Sequence, residues 1–320
     1  MKGGTRFIPL VLLLIWSSPA GANKVTRIGA LVSEDFFLPA FEGFKEKMAE
    51  KGYVDGKTVQ YDVRNAKGDQ KALQKLALEL VQQKPDLIVT SSGRATLPVA
   101  KATQGTPIPV VFLGVGNPLE FVKAYASSGN NLTGISTSVI DLTEKRLELL
   151  KQLAPRVKRV ASLNNPNGLT YKDNLFAVRE AAKKLGLELW EVNVTDRREI
   201  EQLIPTVTQK VVDAIFLPPD RLITGNVEVF VRHSIKEKLP LIPPSAAYGS
   251  GGLATYGHDY VALGRQGANL ADKILKGAKP SDLPIEQPDK LKLVINLNAA
   301  KAIGLKIPKE ILRRADEVIE

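Results

Sequence analysis

Short runs of apolar residues alternate along the chain with longer stretches in which apolar positions recur every three or four residues. The runs are typical of buried strands and the stretches of amphipathic helices, so this order predicts βαβ units and parallel sheets. The predicted strands are residues 27–32, 58–63, 87–90, 109–113, 157–163, 188–192, 214–217 and 241–243. The predicted helices are residues 39–51, 70–83, 95–103, 142–153, 172–185, 197–209 and 227–238.

Each half of the chain carries the same order of features, which predicts two similar Rossmann-like lobes. Gly52 and Gly186 lie where a helix should end, and each is followed by a strand, a helix and a second strand. An aspartate opens that second strand in both halves, Asp86 in the first and Asp213 in the second. A general likeness among α/β sequences is the alternative explanation. Open α/β sheets bind ligands at the carboxyl ends of their strands, so a ligand site is expected in the strand-end loops.

The turn Thr90-Ser91-Ser92-Gly93-Arg94 follows the third predicted strand and opens a helix without the glycines of a phosphate-binding loop. Unpaired N–H groups at a helix start favour an anion or a carboxylate. Arg94 and Arg221 each stand eight residues after the aspartate of their own half, which predicts that both face one cleft. Two surface arginines, with Arg221 paired to Asp220, are the alternative.

Other strand-end loops supply aromatic rings that could stack on a ligand, together with amide and hydroxyl side chains. Each loop singly is also an ordinary turn, and only their shared position at strand ends indicates a site. The candidate ligand-binding residues are Phe36, Phe37, Ser91, Ser92, Gly93, Arg94, Asn117, Thr137, Asn165, Asp220, Arg221, Ser245 and Tyr248.

The N-terminus has the pattern of a secretory signal peptide. Lys2 and Arg6 precede an apolar run at residues 7–16, and Ala20-Gly21-Ala22 has the small-x-small form of a cleavage site. The run is too short to span a membrane. We therefore expect residues 1–22 to be a cleaved signal peptide and the mature protein to be periplasmic. A buried first helix is the alternative.

Composition narrows the possible chemistry. The chain has 320 residues, a net charge of +10, no cysteine and two histidines. The absence of cysteine excludes disulfides and a lipid-modified cysteine, and the scarcity of histidine argues against zinc and copper sites. We expect neither a metal nor a cofactor. The lysines alternate with acids on amphipathic stretches, so they indicate solvated helix faces rather than nucleic-acid binding.

Catalytic motifs are missing from the sequence. It contains no G-x-S-x-G elbow, no H-E-x-x-H, no P-loop and no cysteine nucleophile. His233 lies in a helical pattern and is expected to be structural, whereas His258 is expected in a turn beside Asp259. A secreted α/β hydrolase that uses His258 stays open as an alternative, although no activated serine accompanies it. The expectation is a protein that is not an enzyme.

Several motifs resemble those of a family of bacterial ABC-transporter substrate-binding proteins that includes tryptophan- and tyrosine-uptake receptors. The resemblance covers nearly all of the mature chain. The motifs that carry it are Gly43-Phe44, Gly52-Tyr53, Asn65-Ala66-Lys67-Gly68-Asp69, Lys84-Pro85-Asp86-Leu87-Ile88, Asn131-Leu132-Thr133-Gly134 and Gly257-His258-Asp259-Tyr260-Val261-Ala262-Leu263-Gly264.

The resemblance implies a type I periplasmic binding fold, in which two α/β lobes joined by three crossings close on a small ligand. The first lobe is expected to comprise residues 23–137 and 258–277, and the second residues 138–257 and 278–320. The implied partners are a small polar or carboxylate-bearing ligand, amino-acid-like or aromatic, and an inner-membrane permease with its cytoplasmic ATPase. A monomer is expected. A lactose-repressor-type regulator shares the fold, but the signal peptide occupies the place of its DNA-binding segment.

Three positions depart from the pattern of the resembled family. Gly93 stands where threonine is frequent, Asn117 replaces a frequent aspartate, and Gly168 replaces an acidic residue. Acidic groups in such a cleft would hold an ammonium, so these replacements weaken the case for an ordinary α-amino acid. Asp220 remains, and one carboxylate could suffice.

Overall fold

The computed structural model describes residues 25–137, 142–168, 170–244 and 251–320. The expected signal peptide lies outside these residues. The strands are β1 Thr26–Val32, β2 Val59–Asn65, β3 Leu87–Ser91, β4 Val110–Val115, β5 Leu132–Ser136, β6 Arg159–Asn164, β7 Glu188–Asn193, β8 Ala214–Phe216, β9 Leu241–Ile242, β10 Ala254–His258, β11 Leu291–Asn296 and β12 Glu317–Ile319. The α-helices are α1 Leu38–Glu50, α2 Gln70–Gln82, α3 Ser92–Ala102, α4 Thr143–Leu153, α5 Tyr171–Leu185, α6 Arg197–Leu203, α7 Arg221–Gly225, α8 Val227–Lys236, α9 Tyr260–Leu275, α10 Leu297–Ala302 and α11 Lys309–Arg314.

The first sheet is parallel and has the strand order β2-β1-β3-β4-β5. Alternate residues of β1 face opposite sides, Ile28 and Ala30 toward α1 and α9, and Leu31 toward α2 and α3. Apolar residues on both faces explain why these strands appear in the sequence as continuous apolar runs. The sheet therefore has helices on both faces, and the carboxyl ends of all its strands lie at the same edge.

The second sheet repeats this arrangement with the order β7-β6-β8-β9, again parallel. Val160 packs into a core with α4 and α5, whereas Ala161 packs on the opposite face with α6 and α8. The same relative strand order in both sheets confirms the prediction of two similar α/β units. Strands β10, β11 and β12 form a third, smaller sheet in which β11 is antiparallel to β10 and parallel to β12.

The repeated aspartates fasten equivalent strands in the two large sheets. The Asp86 carboxylate accepts a hydrogen bond of 2.8 Å from the Arg27 backbone N–H at the start of β1. The Asp213 carboxylate accepts one of the same length from the Arg159 backbone N–H at the start of β6. The two halves of the chain thus share a framework as well as a sequence pattern.

Helix α6 is shorter than the sequence pattern predicts. The pattern predicted a helix over residues 197–209, but α6 ends at Leu203 and a 3-10 turn, Ile204–Thr206, follows. Pro205 lacks a backbone N–H, so it cannot donate the hydrogen bond that would continue the α-helix.

The segment after α9 packs on the first sheet. Ile285 is buried in the core between this sheet and α2, and the Glu286 N–H donates to the Gly134 carbonyl of β5 at 3.0 Å. The lobe boundaries stay a prediction, and this packing favours moving the last one from residue 277 to a position after Glu286.

Helices α1 and α9 approach each other at two glycines. A Cβ atom on Gly264 would overlap the Ala40 carbonyl oxygen, and one on Gly43 would overlap the Val261 carbonyl oxygen. The glycines therefore allow backbone-to-backbone contact between α1 and α9, which holds α9 on the face of the first sheet that α1 covers.

We expect Gly264→Ala to lower the free energy of unfolding by roughly 1–3 kcal/mol, because the added methyl group meets backbone that cannot rotate away. Urea denaturation measures the change. Gly225→Ala is the matched control, since a Cβ there contacts nothing within 4 Å. Equal stability of the two variants would contradict the close-packing explanation.

Candidate functional site

A cleft of about 1000 Å³ lies between loops at the carboxyl ends of the two large sheets. From the first sheet it is lined by Glu34, Phe36, Phe37, Gln70, Ser92 and Arg94. From the second it is lined by residues that include Asn165, Gly168, Thr170, Asp220, Arg221 and Thr224. Strand order places these loops at one edge of each sheet, where open α/β sheets bind ligands.

Arg94 and Arg221 meet at one acceptor in this cleft. Arg94 Nη2 donates to the Gly68 carbonyl oxygen at 2.7 Å, and Arg221 Nη2, from the opposite side, donates to the same oxygen at 3.3 Å. The structure therefore brings the two arginines together across the cleft. Arg221 does not pair with Asp220, as the alternative required.

Arg94 is half-buried. Its side chain is 24% exposed and lies 3.5 Å from the Glu34 carboxylate. Burial lowers the pKa of Arg94, the positive charge of Arg221 lowers it further, and Glu34 opposes both effects. Two like charges thus share one carbonyl, which is an arrangement that an anionic group placed between them would stabilise.

The serine turn is arranged differently from the expectation. Helix α3 begins at Ser92, so Ser92, Gly93 and Arg94 form its first turn instead of a loop before it. Ser91 is buried, does not line the cleft, and its hydroxyl oxygen accepts the Ser33 N–H at 3.1 Å. Ser92 does line the cleft and donates its hydroxyl to Ser33 Oγ at 2.9 Å. Its φ of +63° turns the chain sharply into the helix.

Phe36 and Phe37 form one wall of the cleft on a 3-10 turn, Asp35–Phe37. Their rings pack edge to face against the buried Tyr260, with centroid distances of 4.8 and 5.6 Å. Burial raises the pKa of the Tyr260 hydroxyl, so this support stays neutral. The two phenyl rings are held in place and present an apolar surface to the cleft.

Asp220 provides an oriented carboxylate on the opposite side. Its Oδ1 accepts the Leu222 N–H at 2.7 Å and the Ile223 N–H at 3.2 Å, which caps α7. Asn165 Nδ2 lies 3.3 Å from both carboxylate oxygens. A Cβ atom on Gly168 would overlap Asp220 Oδ2, so the glycine leaves room at this oxygen.

Some predicted site residues lie elsewhere. Asn117 is exposed and uses its side chain to accept the Leu119 N–H, and Thr137 is buried with its N–H bonded to the Val115 carbonyl. Neither lines the cleft, and nor does Gly93, which is half-buried beside it. Ser245 and Tyr248 lie outside the described residues.

Sequence reasoning missed nine lining residues, namely Glu34, Gln70, Asn167, Gly168, Thr170, Pro219, Thr224, Gly225 and Val227. Glu34 and Gly168 lie in loops that follow predicted strands, so the same criterion, a position at a strand end, could have identified them. Gln70, Thr170 and Thr224 lie at or near helix starts, and their approach to the cleft depends on how the two sheets face each other.

The histidines lie away from the cleft lining. His233 is buried in α8 with Nε2 at 2.7 Å from the Val207 carbonyl oxygen, in keeping with a structural role. His258 is the buried last residue of β10 and not part of a turn, because β10 pairs with β11 up to this position. Among the residues described, no group of three or more histidine or acidic side chains is placed to hold a metal ion, and no helix is long and apolar enough to span a membrane.

Comparisons with known proteins agree with this architecture. A tyrosine-binding protein of Clostridioides difficile (strain R20291) is 29% identical over 286 residues, which cover 88% of this chain and 81% of the relative. An ABC domain from Streptococcus pneumonia, solved in complex with L-Trp, is 30% identical with a TM-score of 0.79 and covers 92% of this chain and 100% of its own. A leucine-binding protein of Thermotoga maritima is 13% identical with a TM-score of 0.60, covering 87% of both chains, and shows the same type I periplasmic binding fold.

The model of the ABC transporter substrate binding protein family matches residues 25–319, almost the whole of the described chain. The match confirms the resemblance carried by the sequence motifs. Together with the two-sheet architecture and the cleft at the strand ends, it shows that the chain belongs to the family of ABC transporter substrate-binding proteins.

Proposed function

We propose that this protein is a periplasmic receptor that binds an aromatic, amino-acid-like ligand in the cleft and delivers it to an ABC permease without catalysing a reaction. The observation that carries the proposal is the meeting of Arg94 and Arg221 at the Gly68 carbonyl. A carboxylate between the two guanidinium groups replaces repulsion with charge-assisted hydrogen bonds from both sides.

The remaining groups of the cleft suit the rest of such a ligand. Phe36 and Phe37 offer an apolar wall for a ring, and Asp220 offers a carboxylate for an ammonium. Glu34 and Asp220 balance the charges of Arg94 and Arg221, so a zwitterion leaves no net charge in the closed cleft. These two carboxylates remain in the cleft although Gly168 stands where an acidic residue is expected.

The relatives support this ligand class. One relative is called a tyrosine-binding protein and one structural neighbour contains L-Trp. The hydrolase alternative loses support because His258 is buried at the end of β10, outside the cleft lining. The family supports a place outside the cytoplasm and partnership with a permease, since substrate-binding proteins of importers work there.

The arginine clamp predicts a large loss of affinity when either arginine is removed. Arg94→Ala and Arg221→Ala should each weaken binding of L-tryptophan or L-tyrosine roughly tenfold to a hundredfold, because each removes a hydrogen bond to a charged group. Isothermal titration calorimetry measures the affinity. Arg198→Ala, at an exposed arginine on α6, is the matched control and should bind as the wild type does.

Urea denaturation of the same variants separates binding from folding. Arg94→Ala should lose some stability because Gly68, Gln70 and Glu34 all accept from its side chain. Arg221→Ala should lose little. Unchanged affinity in both variants would contradict the clamp, and a wild-type protein that binds neither amino acid would contradict the proposed ligand class.

Gly168→Ala should weaken binding of the amino acid, since its methyl group would displace the Asp220 carboxylate. We expect a loss of roughly tenfold, as for one hydrogen bond to a charged group, when affinity is measured by calorimetry. Gly93→Ala is the matched control, because a Cβ there contacts only Val115, at 3.9 Å. An affinity unchanged by Gly168→Ala would remove Asp220 from the proposed ammonium site.

Lobe closure is the mechanical part of the proposal. A ligand that contacts both lobes stabilises the form in which they are closest, so saturation should reduce the radius of gyration in X-ray solution scattering. The same ligand should raise the melting temperature by mass action. A saturating ligand that raises the melting temperature without compaction would argue against the hinge and leave binding intact.

A further inference from the structure

The loop that carries Asp220 begins with two prolines. Pro218 and Pro219 follow β8 after one residue, Leu217, and neither has a backbone N–H to donate. It is instead held by Asn174 of α5, whose Nδ2 donates to the Pro219 carbonyl at 2.8 Å. The same nitrogen lies 3.0 Å from Thr170 Oγ1.

The other amide atom of Asn174 is left without a protein partner. A carbonyl only accepts, so the atom facing Pro219 must be the nitrogen, and Oδ1 is therefore identified as the remaining atom. Asn174 is 3% exposed, and no donor in the described part of the chain reaches Oδ1. A buried acceptor without a partner is costly, and most such atoms in proteins bind an ordered water.

A small cavity adjoins the Asn174 side chain. Its volume is about 10 Å³, close to the minimum for one water molecule, and Asn174, Asn165 and Asp220 all line it. Asn165 and Asp220 also line the ligand cleft. These two residues therefore form the wall between the cavity and the cleft, with Asn174 behind them.

We propose that Asn174 is a positioning residue for the ligand's ammonium group. Its Nδ2 holds the two-proline loop, and its Oδ1 binds one buried water that also contacts the Asn165–Asp220 wall. Asp220 is thereby fixed with one oxygen on the cap of α7 and the other available to the cleft. The inference rests on the proposed function for the identity of the ligand, but its structural part does not need a ligand.

Hydrogen exchange tests the positioning without any ligand. Asn174→Leu keeps the size of the side chain and removes both polar atoms, so the Leu222 and Ile223 amides capped by Asp220 should exchange at least about tenfold faster. Val178→Ala is the control, because it weakens the core under α5 without touching the loop. Unchanged exchange in Asn174→Leu, or equal acceleration in Val178→Ala, would overturn the role.

A pair of ligands tests the link to the ammonium. Calorimetry with L-tryptophan and with 3-indolepropionate, which lacks the amino group, should show that Asn174→Leu loses about tenfold affinity for the first and less than threefold for the second. Equal loss for both would make Asn174 merely structural and overturn the proposal. A wild-type protein that binds neither of the two compounds would refute the proposed function. The hydrogen-exchange experiment would still decide the role of Asn174.

The water is tested by crystallography of the wild-type protein. At high resolution, one ordered water should lie within hydrogen-bond distance of Asn174 Oδ1 and of Asn165 or Asp220. A dry cavity, or a water that contacts Asn174 alone, would overturn this part of the proposal.

Discussion

The Gly68 carbonyl oxygen is the point on which the geometry of the cleft depends. It accepts from Arg94 of the first lobe and from Arg221 of the second, so two positive charges that would otherwise repel lie near each other. The Gly68 N–H is itself bonded to the Ser33 carbonyl at 2.8 Å, which ties this acceptor to the end of β1. The proposed ligand carboxylate would replace this neutral, shared acceptor with a charged one, and that difference would favour the closed form.

The meeting of the arginines depends on a framework that the two lobes share. Asp86 and Asp213 bind the starts of β1 and β6 in the same way. The strands that follow them, β3 and β8, therefore end at equivalent positions of the two sheets. The equal spacing from each aspartate to its arginine then has a structural meaning, since it measures one strand and one turn. The equal spacing in the sequence therefore predicts that Arg94 and Arg221 face one cleft.

Sequence reasoning identified the parallel sheets, most helices and half of the cleft because these follow from local patterns. Burial on both faces makes strands such as β3 and β4 continuous apolar runs, but β5, with the sequence LTGIS, is too polar to stand out. Strands β10 to β12 were missed because their pairing joins distant segments. The direction of a side chain is harder still to predict. Ser91 and Asn117 lie at or just after strand ends, yet Ser91 accepts the N–H of the distant Ser33, and Asn117 accepts that of its neighbour Leu119.

The two lobes carry different side chains at equivalent strand ends, and this difference supports one orientation of the proposed ligand. Ser33 follows β1, and its hydroxyl oxygen accepts the hydroxyl of Ser92, so this position of the first lobe is neutral, while the neighbouring Glu34 carboxylate lies beside Arg94. Asn165 follows β6 in the equivalent position and contacts Asp220. At these equivalent positions Asn165 contacts a carboxylate and Ser33 contacts a hydroxyl group, while each lobe contributes one arginine. Among the described residues that line the cleft, Asp220 and Glu34 carry the carboxylates toward which the ammonium of the proposed amino acid would point. Asp220 is the better oriented, because two backbone N–H groups hold its other oxygen.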